Sequence, residues 1–124
     1  MSRLYSCFAL LLIAAAVCTA QIFVVHSAMD DVFELTETVL ESSADKNTIY
    51  MKTEELYSKW ESDKNKLCLF LDHDEIDAVS CLIYAVRQHC KNGNYGLVYS
   101  ECAKMKVLID AIDDTEIIKF ENFF

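Results

Sequence analysis

The chain has 124 residues, 53% of them hydrophobic, no proline and only two glycines, Gly93 and Gly96. That length allows one domain, and so few turn residues exclude a β-rich or loop-rich fold. The formal net charge of −9 places twenty acids against eleven bases, which disfavours nucleic-acid backbones and anionic lipid headgroups as partners.

The first element runs from Leu4 to Val25, without a charged residue. As a helix it would extend roughly 33 Å, enough to cross a bilayer core, where a helix satisfies its own backbone hydrogen bonds. Arg3 precedes it, and Asp30, Asp31 and Glu34 follow it. By the preference of positive charge for the cytoplasmic side, the N-terminus is expected inside and the rest outside. Residues 1–26 are therefore read as a single-pass membrane anchor and residues 27–124 as an extracytoplasmic helical domain. A cleavable signal is the competing reading, with Cys18-Thr19-Ala20 before the cut. The apolar run continues through Ile22-Phe23-Val24-Val25, longer than a usual signal core. A lipidated Cys18 would need a small residue before it, and Val17 stands there.

Four helical stretches follow. The first covers about residues 27–43, with a stripe of Met29, Val32, Val39 and Leu40, and a break is expected over Ser42–Asn47. The second covers about residues 48–70, with Ile49, Thr53, Leu56, Trp60, Leu67 and Phe70 at helical spacing. Asp63 and Lys64 interrupt that stripe and predict a bend. The apolar run Leu67–Leu71 has no strand partner and reads as a fully buried helical turn.

The third helix is expected over residues 73–91. Ile76, Val79, Ile83, Val86 and Cys90 form its seam. Asp72 followed by Glu75 has capping-box spacing, and Asn92-Gly93-Asn94 is a stop signal. The fourth is expected over residues 95–112, with Val98, Cys102, Met105, Ile109 and Ile112 facing the third across a short turn. Asp113-Asp114 should end it, leaving a tail whose Phe120, Phe123 and Phe124 fold back on the bundle. The fold class is thus all-α, an N-terminal transmembrane helix followed by a small antiparallel bundle of three to four helices.

Trp60, Lys66-Leu67, the stretch Leu69-Phe70-Leu71-Asp72-His73-Asp74-Glu75-Ile76-Asp77, Lys106-Val107-Leu108-Ile109 and Glu116 together resemble domain-of-unknown-function family 4363. Its members, from clostridia and related firmicutes, are short, begin with one hydrophobic segment and continue as a helical domain. The resemblance covers nearly the whole chain and implies the anchor and the fold, but no activity. The six cysteines, and Ala78-Val79-Ser80 where the family is more charged, depart from its pattern.

Asp72, His73, Asp74, Glu75 and Asp77 form the most polar cluster and the motif of possible functional interest. As a calcium loop it fails, because Ile76 takes the fifth place and Asp77 the sixth, where a ligand and a glycine belong. His73 and Asp77 could share a helical face as a start for zinc. The plainer role is a helix start with acids at the positive end of its dipole. Cys68, Cys81, Cys90 and Cys102 have no CxxC spacing, and their helical phases favour free thiols over bridges. No histidine sits in a nucleophile motif. No catalytic residue, metal ligand or cofactor site is assigned. The leading expectation is a non-enzymatic interaction or accessory module for another envelope protein. The alternative is a ligand-sensing or metal-binding domain using Asp72–Asp77.

Overall fold

The computed structural model describes residues 1–41 and 45–123, with the side chains of residues 119, 120 and 123 outside that description. Four helices fill it, and no strand occurs among the described residues: α1 (Ser2–Glu41), α2 (Lys46–Leu67), α3 (His73–Lys91) and α4 (Tyr95–Phe123). Successive helices are antiparallel, because the two connections described, residues 68–72 and 92–94, are too short for any other path. Each helix packs on two neighbours: α1 on α2 and α4, α3 on α2 and α4. The chain therefore closes as a four-membered ring around one core.

The apolar N-terminal segment and the first bundle helix are one helix of 40 residues, unbroken at residues 26–27. No glycine or proline interrupts it, and its hydrophobic content changes partner rather than conformation. Residues 1–14 are all exposed, including Leu4, Phe8 and Leu11 at 75%, 65% and 69%. From Val25 onward Ala28, Met29, Val32, Thr36 and Val39 are buried. The Thr36 hydroxyl donates to the Val32 carbonyl at 2.7 Å, which removes the cost of burying it.

The stripes of α3 and α4 lie in the core as expected. Ile76, Val79, Ile83, Val86 and Cys90 face Val98, Cys102, Met105, Ile109 and Ile112. Each fully buried aliphatic side chain contributes about 1.5–3 kcal/mol over an exposed one. From α2, Ile49, Thr53, Leu56, Trp60, Asp63 and Leu67 point inward. Asp63 does not bend the helix. It continues the four-three spacing into the core, and Lys59 on the same helix reaches it at 3.1 Å. That i,i+4 pairing neutralises the charge where it is buried, so the backbone has no reason to break.

Two expected boundaries move. Residues 67–71 are not a fully buried helical turn: Leu67 and Leu71 are buried, but Leu69 between them is 78% exposed. A tight turn aims its middle residues outward whatever their polarity. At the other end, α4 does not stop at Asp113-Asp114 but runs to Phe123. Nothing after Gly96 breaks a helix, and Glu116, four residues beyond Ile112, is buried and prolongs the seam. Thr115 donates to the Ala111 carbonyl at 2.7 Å, keeping its hydroxyl inside the helix ladder. The expected packing of the Phe120, Phe123 and Phe124 side chains lies outside the described residues.

α3 ends in a Schellman motif. Gly93 N–H donates to the Cys90 carbonyl and Asn94 N–H to that of His89, at 3.2 and 2.9 Å. Gly93 takes φ +75°, a left-handed conformation that favours glycine.

Candidate functional site

The polar motif singled out in the sequence lies at the α2–α3 turn and in the first turn of α3. Asp72, His73, Asp74 and Asp77 are exposed and Glu75 is half-buried. No three histidine, cysteine or acidic side chains among the described residues come together in a way that could hold a metal ion. The Asp72 half of the expected capping box does not form. Asp72 sits at the N-cap with φ −65° and ψ 147° but makes no side-chain cap bond. The first amides of α3 are met by backbone instead, Glu75 and Ile76 N–H both donating to the Asp72 carbonyl. The carboxylate, on the outside of an exposed turn, is left to water. His73 is also exposed. What remains of the motif is Asp74 and Glu75 at the positive end of the α3 dipole.

The most organised polar surface is elsewhere, along the seam between α2 and α3 on their outer side. On α2, Tyr50, Glu54, Tyr57, Glu61 and Lys64 follow each other at steps of four and three, one position beyond the core stripe Ile49, Thr53, Leu56, Trp60 and Asp63. On α3, Tyr84, Arg87 and Lys91 repeat that spacing. The phase of the core stripe fixes this second stripe at the rim, where aromatic and long charged side chains cover the edge of the core.

Arg87 anchors one end. Its Nε donates to Glu54 Oε1 at 2.9 Å and its Nη2 to Oε2 at 3.4 Å, a two-point grip. The guanidinium stacks over the Tyr57 ring at 4.0 Å from its centroid. The Tyr57 and Tyr84 rings pack at 5.9 Å with planes tilted by 57°. Tyr84 Oη then donates to Glu61 Oε1 at 2.6 Å, and Lys64 Nζ donates to both, 3.0 Å from Tyr84 Oη and 3.1 Å from Glu61. The hydrogen bond from Tyr84, then that from Lys64, hold the Glu61 carboxyl below its usual range. Lys64 is raised by its hydrogen bonds to Tyr84 and then to Glu61, and Arg87 by that to Glu54. The result is a chain of charge and aromatic contacts from Glu54 to Lys64 across two helices. Tyr57, Tyr84, Arg87, Gln88 and Lys91 line a shallow hollow of about 230 Å³ on it.

The apolar spacing of the core stripes does not announce this arrangement. The usable signal was the second stripe, offset by one residue from the core, with tyrosine alternating with charge. Behind it, Trp60 is fully buried and its indole N–H donates to Ser80 Oγ at 2.8 Å, pinning α2 to α3.

A second polar feature lies between α1 and α2. Lys59 Nζ is 3.1 Å from the buried Asp63 and 3.5 Å from Asp31 on α1. These acids, Asp63 foremost, raise the lysine above its ordinary value. The groove beside them, about 190 Å³, also includes Phe23, Val24, Ser27, Ala28 and Lys66. Between α1 and α4, His26 Nδ1 meets Asp113 at 2.9 Å, and Lys106 meets Glu37 at 3.3 Å.

The six cysteines are free. Cys90 and Cys102 are buried, whereas Cys81 is exposed and Cys68 half-buried. Burial pushes the Cys102 thiol up to about 12, which makes it a poor nucleophile.

Comparison with known sequences gives one match. The family described as Domain of unknown function (DUF4363) matches residues 19–123. No curated protein matches the chain, and no solved structure does.

Proposed function

This chain belongs to the DUF4363 family, and we propose that it is a membrane-anchored, non-enzymatic interaction module, an accessory subunit for another envelope protein. Its helical domain stands on the outer face of a bacterial membrane. The observation that carries this reading is α1. One half of a single helix is apolar and bare, while the other half is built into the core of a bundle. A bare apolar helix of that length is stable in lipid and a liability in water. Arg3 before the apolar half and Asp30, Asp31 and Glu34 after it support the inside-to-outside direction.

The α2–α3 face is the surface offered to a partner. Tyrosine and arginine are enriched among the side chains that carry most of the binding energy at interfaces. Here Tyr57, Tyr84 and Arg87 are already held in place by each other and by Glu54 and Glu61. Little conformational entropy is left to lose on binding.

Two measurements test the reading. Protease added to intact protoplasts should digest residues 27–124, and full protection would overturn the orientation. Co-purification from native membranes, with and without cross-linking, should recover an envelope protein. A Tyr84→Ala, Arg87→Ala variant of unchanged membrane content should lose it. A chain found cleaved after Ala20 and free of the membrane would refute the anchor.

A further inference from the structure

The end of α4 occupies a stretch of α1 that a membrane would also need. His26 on α1 meets Asp113 on α4, and α4 runs on antiparallel to α1 for ten more residues, to Phe123. That is about 15 Å, which brings the end of α4 level with about residue 16. The exposure of α1 records the cover. Residues 1–14 are exposed, Ala15, Cys18, Gln21 and Ile22 are half-buried at helical spacing, and Val25 is buried. Among the described residues α3 does not pack on α1. α2 ends at Leu67, and Lys66 in its last turn shares a groove with Phe23 and Val24. Ala15 and Cys18, about 12 and 8 Å further down α1 than Phe23, are therefore left for α4 to cover.

The apolar length open to lipid depends on where that end lies. With α4 docked, a hydrocarbon layer has α1 from Leu4 to about residue 16, roughly 20 Å. With residues 114–123 away from α1, it has the whole uncharged run from Leu4 to Val25, roughly 33 Å. A typical core of about 30 Å fits only the second. It cannot take the docked end in with it, because that end carries Asp114, Glu116 and Glu121, and carboxylates are costly in hydrocarbon. Thinning the layer to match the shorter length carries a cost for each of about 10 Å. Release costs less. Acyl chains cover Ala15, Cys18 and Ile22 as well as α4 does. Among the described side chains beyond Asp113 only Glu116, a carboxylate, is buried, so they add little hydrophobic gain to docking. Terminal turns of a helix also fray at low free energy, so α4 needs no glycine to let its end go.

We infer that the bilayer and the end of α4 compete for residues 15–22 of α1, so that residues 114–123 dock on α1 in a thin bilayer and come away from it in a thick one. The His26–Asp113 contact marks the boundary. On its far side from the membrane the ring of four helices stays closed at any thickness, and on its near side α4 yields to lipid. The end of α4 thus responds to membrane thickness through hydrophobic mismatch, without a ligand and without a break in α1. The inference rests on α1 being an uncleaved anchor.

The test uses the full chain in phosphatidylcholine vesicles prepared in a series from short to long acyl chains. A photoreactive benzoylphenylalanine in place of Glu121 reports the end of α4, and the cross-link read by peptide mass spectrometry is the one to residues 15–22. The same group in place of Lys106, which meets Glu37 on α1, reports the part of α4 that stays docked. Phe8→Trp, with the emission of Trp60 recorded from the unsubstituted chain and subtracted, reports the anchor through quenching by brominated lipid. The expected result is a several-fold loss of the cross-link from position 121 as the acyl chains lengthen. The cross-link from position 106 should hold constant and Phe8→Trp should be quenched throughout. A yield from position 121 that does not change with acyl length, high or low, while Phe8→Trp is quenched, would overturn the competition and leave the anchor standing. An unquenched Phe8→Trp would overturn both.

Discussion

Asp45 and Asp72 occupy the same place relative to their helices, yet only one uses its side chain there. Asp45 accepts from the Asn47 amide and from the Thr48 hydroxyl, each at 3.0 Å, while Asp72 makes no cap bond. Asp45→Ala should therefore cost about 1 kcal/mol. Asp72→Ala should fall within about 0.5 kcal/mol of the unsubstituted chain, as exposed substitutions do. Chemical denaturation of the detergent-solubilised protein measures both. A larger loss at Asp72 would mean that its carboxylate has a role the exposed turn does not reveal. The sequence alone could not separate the two, since residue type and spacing are equally suitable. What differs is the local backbone path, φ −134° at Asp45 against −65° at Asp72. Asp63 teaches the same lesson in reverse. Its charge argued for a bend, but Lys59 four residues earlier was present to accompany it inward.

At the level of elements, the seams of α3 and α4 could be read residue by residue, because three-four spacing of apolar side chains has one helical solution. Ends were less legible. The α3 stop was marked by Asn92-Gly93-Asn94, and the structure places Gly93 at φ +75° with open space where a Cβ would go. Gly93→Ala should then lower stability by about 1–2 kcal/mol through backbone strain alone, with no steric term. Equal stability of the two proteins in denaturant would show that the turn relaxes out of the left-handed region. The α4 end was missed because Asp113-Asp114 resembles a polar tail. Asp113 instead meets His26 on α1, a contact 87 positions away in sequence that no local pattern announces. The outer α2–α3 network was missed for a related reason. Its stripe is visible on each helix, but pairing Glu54 with Arg87 requires knowing which faces meet.

On the scale of the whole molecule, the ring of four helices closes through α1 and α4, and the His26–Asp113 pair sits where that closure meets the apolar segment. The hydrogen bond to Asp113, and then its charge, raise His26 above 6.5. A raised histidine stabilises fully below pH 6.5, its unfolded value, and loses that contribution as pH climbs through the folded value. The side chain of His26 is 53% exposed, so solvent screening keeps the effect below about 1 kcal/mol. Thermal unfolding across the neutral range should show the midpoint falling as pH rises, and His26→Gln should flatten that part of the profile. An unchanged slope in the variant would assign the pH dependence to other groups.

α1 has no glycine, no proline and no turn between its bare half and its buried half. There is accordingly no swivel between the membrane and the bundle. The two halves share one axis of about 60 Å, and whatever tilts or spins the lower half does the same to the upper. Advancing a helix by one residue turns it by about 100°, so inserting a single alanine after Ala16 would re-aim the Tyr57–Tyr84 face by a quarter turn or more. A partner embedded in the same bilayer would then find that face pointing elsewhere, with its chemistry intact. For such a rod, azimuth is as much a determinant of encounter as the side chains are.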